Sequence, residues 1–283
     1  KGSGPGVIPL VHKALVAGIR DYFVKTGFRS CIIGLSGGID SAVCLCLAAD
    51  ALGNENVRAL LMPSRYSSDH SVNDAVALAK NLRVHYDIIN IEKPFTAFED
   101  VLSALFGGKN KDVTEENIQA RIRAILLMAV SNKYGCILLN TSNKSEAAVG
   151  YGTLYGDMAG GLSIIGDVYK TDVYRLADFI NRNIEIIPGN IIKKMPSAEL
   201  KPGQLDTDSL PDYNILDSIL YQYIELQKPV ERIESDGSDS EIVFKVIRMI
   251  NLNEYKRYQA PPVLRISSKA FGAGRRMPLA AWY

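Results

Sequence analysis

Apolar residues recur at three- and four-residue spacing through 7–25 (Leu10, Leu15, Val16, Ile19, Phe23), which predicts a helix. The pattern then changes. An unbroken apolar run at 31–35 gives way to Ser36-Gly37-Gly38, and a strongly apolar helical segment begins at Asp40 or Ser41 and stops at Gly53-Asn54. Residues 57–63 read as a second short strand, 72–82 as a helix and 84–91 as a third strand. A helix over 94–106 and an exposed turn at 107–112 follow. Thr114 is expected to cap a long helix whose apolar stripe is Ile118, Ile122, Ile125, Leu126, Ala129 and Val130, with Asn117 and Arg121 on the other face. Strand four is read at 136–140, and a helix from about Thr171 at 167–179.

Two stretches resist any period. Residues 150–161 are rich in glycine and aromatics, and a loop of that length inside a domain is uncommon unless it binds something. Residues 191–210 carry Pro196, Pro202 and Gly203 and read as an extended or mobile loop. Helices over 214–227 and 240–258 close the chain. Alternation of strand and helix implies right-handed crossovers and a doubly wound parallel α/β sheet covered on both faces. The order expected is 3-2-1-4-5, with helical additions at the C-terminal end. Ligands of such sheets bind beyond the carboxyl ends of the strands, where the order reverses, and the glycine turn after strand one lies at that place.

Composition narrows the class without naming it. Hydrophobic residues are 47% and charged ones 22% of 283, and the formal net charge is +1, which gives no case for a basic nucleic-acid surface. No apolar run approaches the ~20 residues that cross a bilayer. The four cysteines sit in apolar contexts and the three histidines are scattered, so buried thiols in a reducing cytoplasm are expected and a zinc site is not. Residues 1–6 look like a linker or cloning remnant, and 7–283 like one domain.

The chemistry concentrates at the glycine turn. A strand–turn–helix of this kind aims unpaired N–H groups and a helix dipole at one point, which suits phosphate. Gly34, Leu35, Ser36, Gly37, Gly38, Ile39, Asp40 and Ser41 would form the cradle. A carboxylate at Asp40 would be repelled by polyphosphate unless a divalent cation lies between them. Glu146, in the loop after strand four, opens on the same edge and is the second carboxylate for that cation. Its bland alternative is a first-turn acid answering a helix dipole, as an N-cap is for Asp40. Lys170 stands at a helix N-terminus, a poor place for a cation unless it meets an anion.

The motif S-G-G-x-D-S resembles the pyrophosphate loop of ATP pyrophosphatases. With LSGGIDS (35–41), LMPSRYSSDHS (61–71), TEENIQARIR (114–123), TSNKSEAAVGYGTLYGDMAGG (141–161), KTDVYRLA (170–177), PSAEL (196–200), DSLPDY (208–213) and the basic segment 254–278, the chain resembles the NAD synthetases across nearly its whole length. Several motifs resemble the synthetase domain of the glutamine-dependent type. The nitrilase-like glutaminase domain of that type has no room here, so either an excised domain or a departure from that pattern is expected.

The resemblance implies ATP-dependent amidation of deamido-NAD through an acyl adenylate, with Mg2+ on Asp40 and Glu146. It implies ATP contacts from the glycine loop, Met62, Thr141, Lys170 and Ser197. Deamido-NAD would meet Asn117, Arg121, Glu146, Tyr151, Gly152, Thr153, Leu154, Asp157 and Lys269. Asp40, Glu146, Asp157 and Lys170 would carry the catalysis, Asp157 taking a proton from ammonium. Ammonia is the expected direct nitrogen donor, a homodimer or larger homo-oligomer the expected assembly, and a glutaminase domain or subunit a further partner. Two rivals are a purine-amidating enzyme of the GMP synthetase kind and a nucleotide-binding module without catalysis. Neither a nucleic acid nor a membrane is an expected partner.

Overall fold

A computed structural model describes residues 7–233 and 240–279; the first six residues lie outside it. Five parallel strands form one sheet in the order β3-β2-β1-β4-β5, as the alternation of elements predicts. They are β1 (Cys31–Gly34), β2 (Val57–Leu61), β3 (His85–Ile88), β4 (Ile137–Asn140) and β5 (Leu162–Ser163). Burial on both faces explains the unbroken apolar runs. Cys31 and Ile33 pack against α1 (Ile8–Thr26), α2 (Ile39–Leu52) and α7 (Lys170–Ile180), whereas Ile32 turns to α4 (Glu92–Phe106) and α5 (Val113–Tyr134). Between β2 and β3 runs α3 (Asp69–Asn81), and α6 (Lys144–Val149) follows β4.

The remaining helices are α8 (Gly189–Lys193), α9 (Tyr213–Leu220), α10 (Ser240–Leu252) and α11 (Glu254–Arg257). α6, α9 and α10 bury a separate apolar cluster around Leu216, Leu220, Val246 and Ile250. The C-terminal strap then returns to the sheet, where Ser163 N donates to Pro262 O and Leu264 N to Ser163 O, which covers the exposed edge of β5.

Four readings are corrected. The cap of α5 is Asp112, which accepts from Thr114 N at 2.7 Å and closes a capping box with Glu115. On α5, Ile118, Ile122, Leu126 and Val130 of the expected stripe pack against the core, but Ile125 is 58% exposed, and the burial extends to Gln119, Ala120, Ala124, Leu127 and Ser131. The helix expected over 214–227 passes into a π-turn at Tyr221–Glu225. The one expected over 240–258 breaks at Asn253, whose amide donates to Val149 O and Met249 O.

Residues 191–210 are also more ordered in outline than proline and glycine suggest. They hold part of α8 and a 3-10 turn at Asp206–Asp208, and the loop is tied down by Gln119, whose amide donates to Leu200 O at 2.9 Å. All four cysteines are free and buried. Burial pushes the thiols of Cys31, Cys44, Cys46 and Cys136 up, that of Cys46 to about 12. Among the described residues no helix is long and apolar enough to cross a membrane, and no cluster of three His, Cys, Asp or Glu side chains is placed to hold a metal.

Candidate functional site

The glycine turn joins β1 to α2 at the carboxyl edge of the sheet, where the chain departs toward β2 on one side and β4 on the other. Gly37 has φ +81°, and a Cβ there would lie 2.3 Å from Ser71 O, so the close approach of α3 requires glycine. Ser36 and Ser41 tie the turn across itself: their hydroxyls are 3.2 Å apart, and Ser41 donates to Gly38 O at 3.0 Å. Gly38 caps α2 without a side-chain acceptor, which leaves the first N–H groups of the helix to a ligand.

Asp40, in the first turn of α2, meets Lys170, the first residue of α7, in a direct ion pair. Glu146 Oε1 lies 3.4 Å from the same ammonium, and the Tyr213 ring lies beneath it at 5.2 Å. Asn143 links the two carboxylates: its amide donates to Asp40 Oδ1 at 2.9 Å, and as the cap of α6 it pairs with Glu146 in a capping box. Glu146 therefore does both things its sequence position allowed. It caps its own helix and faces the cavity. Burial, then the Asp40 charge, pushes its pKa up to about 8 against the pull of Lys170. Burial opposes the charge on Lys170, yet Asp40 and Glu146 hold it well above the usual lysine range.

Lys170 is itself held in place from behind. Ser145 Oγ accepts from Lys170 N, and Asp217 accepts from Ser145 and from Thr171 N. Asp206, buried beside them, accepts from Tyr151 OH at 3.1 Å and Tyr213 OH at 2.8 Å.

A cavity of about 280 Å³ opens over the glycine turn. Of the predicted ATP ligands, Gly34, Leu35, Ser36, Gly38, Ile39, Asp40, Ser41, Met62, Thr141, Lys170 and Ser197 line it; Gly37 backs onto Ser71 instead. Asp157 lines it too, exposed at the rim, with Oδ1 accepting from Thr153 N. A second cavity of about 520 Å³ lies between residues 140–152 and the C-terminal strap, and shares Asn140, Ser142, Glu146 and Tyr151 with the first. Glu146 stands at the junction.

The predicted deamido-NAD residues divide. Glu146, Tyr151 and Gly152 face the second cavity. Asn117, Arg121, Thr153 and Leu154 form a hydrogen-bonded group outside both, through Thr153 Oγ1 to Asn117 (2.7 Å) and Arg121 Nε to Leu154 O (3.2 Å). Lys269 lines neither cavity; its N–H is held by Glu225.

Sequence reasoning passed over Asn143, Asp206, Lys194, Glu199 and Arg123. Asn143 was legible as the start of an Asn-x-x-Glu capping box. Glu199 sits on Ser68 Oγ (3.0 Å), Ser71 Oγ (2.9 Å) and Lys194, a cluster assembled from separated segments that no local pattern marks.

Two carboxylates, a lysine and a glycine loop at the switch point of a parallel sheet define a nucleotide-handling fold of the nucleotide alpha hydrolase-like kind. The model of the NAD synthase family matches residues 11–260, and the chain belongs to that family. It is 52% identical over 271 residues to the glutamine-dependent NAD(+) synthetase of Thermotoga maritima, covering 95% of this chain and 47% of the relative. The structure of glutamine-dependent NAD+ synthetase from Acinetobacter baumannii, in complex with ADP, superposes with TM-score 0.64 at 45% identity, over 95% of this chain and 49% of the other. The chain thus spans about half the length of these relatives. The NH3-dependent NAD synthetase of Campylobacter jejuni matches with TM-score 0.71 at 30% identity, over 88% of this chain and 95% of that one.

Proposed function

We propose that this chain amidates deamido-NAD at the expense of ATP, with ammonia as its direct nitrogen donor. The observation that carries the reading is the pair Asp40 and Glu146 converging on Lys170 at the mouth of the glycine loop. Two anions must meet here, the substrate carboxylate and the triphosphate. The site supplies the N–H groups of the loop and the ammonium of Lys170 for the charge that develops at phosphorus. The carboxylate oxygen attacks the α-phosphorus, the bond to the bridging oxygen breaks, and pyrophosphate leaves. Ammonia then attacks the acyl carbon, AMP leaves with the bonding pair, and one proton is lost from nitrogen.

The donor set fits magnesium. Hard oxygen ligands, few in number and next to a phosphate cradle, are what that ion uses when phosphates complete its shell. Burial first, and then the Asp40 charge, raises the pKa of Glu146, and a cation held between the two carboxylates would oppose both. Asp40 and Glu146 would hold Mg2+, which when bound would neutralise charge on the polyphosphate.

Around that centre, the loop with Thr141, Met62 and Ser197 would bind ATP. Tyr151, Gly152, Asn117, Arg121, Thr153, Leu154 and Lys269 would take deamido-NAD. Asp157, which lines the cavity, would accept a proton from ammonium. A second copy of the chain is the proposed cover for α4, where Phe95 alone is buried while Val101 and Leu105 are 79% and 78% exposed. Glutamine would serve only through a glutaminase domain or subunit that hands ammonia over.

The test uses purified chain, ATP, magnesium and deamido-NAD with ammonium chloride or ammonia-free glutamine. NAD, AMP and pyrophosphate should form with ammonium and not with glutamine. NAD from both donors at similar rates would mean an amidotransferase site in this chain, and NAD from neither would reject the substrate.

A further inference from the structure

Arg123 stands in the wall of the glycine-loop cavity, two positions along α5 from Arg121. At 3.6 residues per turn the two side chains leave the helix about 200° apart, so they serve different surfaces. Arg121 is exposed and reaches Leu154 O, while Arg123 turns inward, its Nε donating to Met62 O at 3.1 Å at the end of β2.

Its surroundings differ from those of the other cations in the wall. Lys170 is bound to Asp40 and Glu146, and Lys194 to Glu199. Among the described residues no carboxylate lies within ion-pair distance of Arg123; Asp157 and then Glu199 act on it only at longer range. Burial pushes its pKa down to about 10, further than those two carboxylates restore. The guanidinium stays charged at neutral pH, but its charge is paid for by nothing in direct contact.

A planar guanidinium carries five N–H donors in a fork that matches the oxygens of a phosphate. With Nε on a carbonyl, the other donors remain for whatever enters the cavity. The two acids that influence it bracket the place where bonds would change. Glu199 rests on Ser71, which abuts Gly37 of the loop, and Asp157 lies at the rim where an amine would arrive.

We propose that Arg123 is a substrate-contacting cation of this site, its guanidinium holding the non-bridging oxygens of the adenylyl phosphate in ATP, in the acyl adenylate and in AMP. The inference rests on the adenylating reading of the cavity. No proton moves. Attack at phosphorus places additional negative charge on those oxygens, and the fork meets it without reorganising.

The experiment compares wild type, Arg123→Gln, Arg123→Lys and Arg123→Ala. Glutamine can still donate to Met62 O, so Arg123→Gln removes the charge with the least disturbance of the fold, and a thermal melt confirms that each variant is folded. Binding of ATP, AMP and adenosine is followed by ligand-observed NMR, and pyrophosphate release is measured with deamido-NAD. For Arg123→Gln we expect about 10²-fold lower kcat/KM, clearly weaker ATP and AMP binding, and unchanged adenosine binding. Arg123→Lys should fall between, and added guanidinium ion should restore part of the activity of Arg123→Ala. Equal loss of AMP and adenosine binding, or activity within twofold of wild type, overturns the proposal. If wild type itself releases no pyrophosphate with deamido-NAD, the adenylating reading fails, and the AMP-against-adenosine comparison still decides whether Arg123 meets a phosphate.

Discussion

Two buried lysines, 26 residues apart (170 − 144), each face two carboxylates, and the resemblance ends there. Around Lys144 everything is sealed. Its side chain and that of Asp167 have no accessible surface, and Glu225 has 5%. The acceptors are fully occupied. Asp167 takes Ile266 N, Ser267 N and the Ser267 hydroxyl, while Glu225 takes Lys269 N and the Ser268 hydroxyl. That cluster staples the C-terminal strap to α6.

Around Lys170 the carboxylates keep 18% and 16% of their surface, and the cavity is what they face. Asp40 accepts from Asn143 on one oxygen and from Lys170 on the other, with lone pairs left over. A buried charge cluster that uses every acceptor on donors of its own chain is architecture. One that leaves acceptors facing a cavity is prepared for a ligand.

The contrast is broken most severely at Lys144. Lys144→Met strands two buried carboxylates and should cost about 3–5 kcal/mol of folding stability. Pyrophosphate release per folded molecule should change less than tenfold. Urea titration alongside single-turnover assay checks this, and a stable but inactive variant would move Lys144 into the chemistry.

Asp40→Asn and Glu146→Gln should show the opposite profile. Both fold, and each loses at least about 10²-fold in adenylation. If they share one cation, the double variant should lose far less than the product of the two single losses. Strict additivity, or near-normal pyrophosphate release by Asp40→Asn, would separate them.

Glu146→Gln sharpens the comparison through pH. The folded-state pKa of Glu146 is raised above its unfolded value of 4.5, to about 8. Between those values the folded chain retains a proton that the unfolded chain has lost, so the contribution of Glu146 to stability falls as pH rises through that window. The melting temperature of Glu146→Gln relative to wild type should therefore climb across it, in the absence of magnesium and ATP. A difference that is flat with pH would place the Glu146 carboxylate outside the window.

The smallest expected effect is local. Residues 197–210 reach across the cavity from Ser197 and Glu199, and we expect them to open without ligands and to close with ATP and deamido-NAD. Limited proteolysis should cut this loop in the free protein and spare it in the complex. Equal cutting in both states would make the loop fixed wall.

Much of this was legible in the chain. Unbroken apolar runs between helical segments declared a parallel sheet, and the sheet in turn fixed where Asp40 and Glu146 had to meet. What escaped was set by tertiary context. β5 is two residues long and held partly by the returning strap, so it left no run to read. On α5 the buried positions Gln119, Ala120, Ala124 and Ser131 are small or polar, because α5 packs on the sheet and also walls the cavity. Hydrophobicity picked out Ile118, Ile122, Leu126 and Val130, which do pack against the core, but it missed this small and polar flank and included Ile125, which is exposed. Arg123 was hidden because it lies on that flank, in the cavity wall with Ala120, Ala124 and Leu127. Glu199 was hidden by distance, since its partners Ser68 and Ser71 stand more than a hundred residues away.

The buried thiols have a practical consequence. All four native cysteines are shielded and held in their unreactive protonated form, so maleimide or iodoacetamide reagents should leave the folded protein untouched. Met195 is 54% exposed at the root of the loop over the cavity. Met195→Cys would offer a single labelling handle there, with no need to strip the natural cysteines from the core. A fluorophore at that position would report loop movement in real time during turnover.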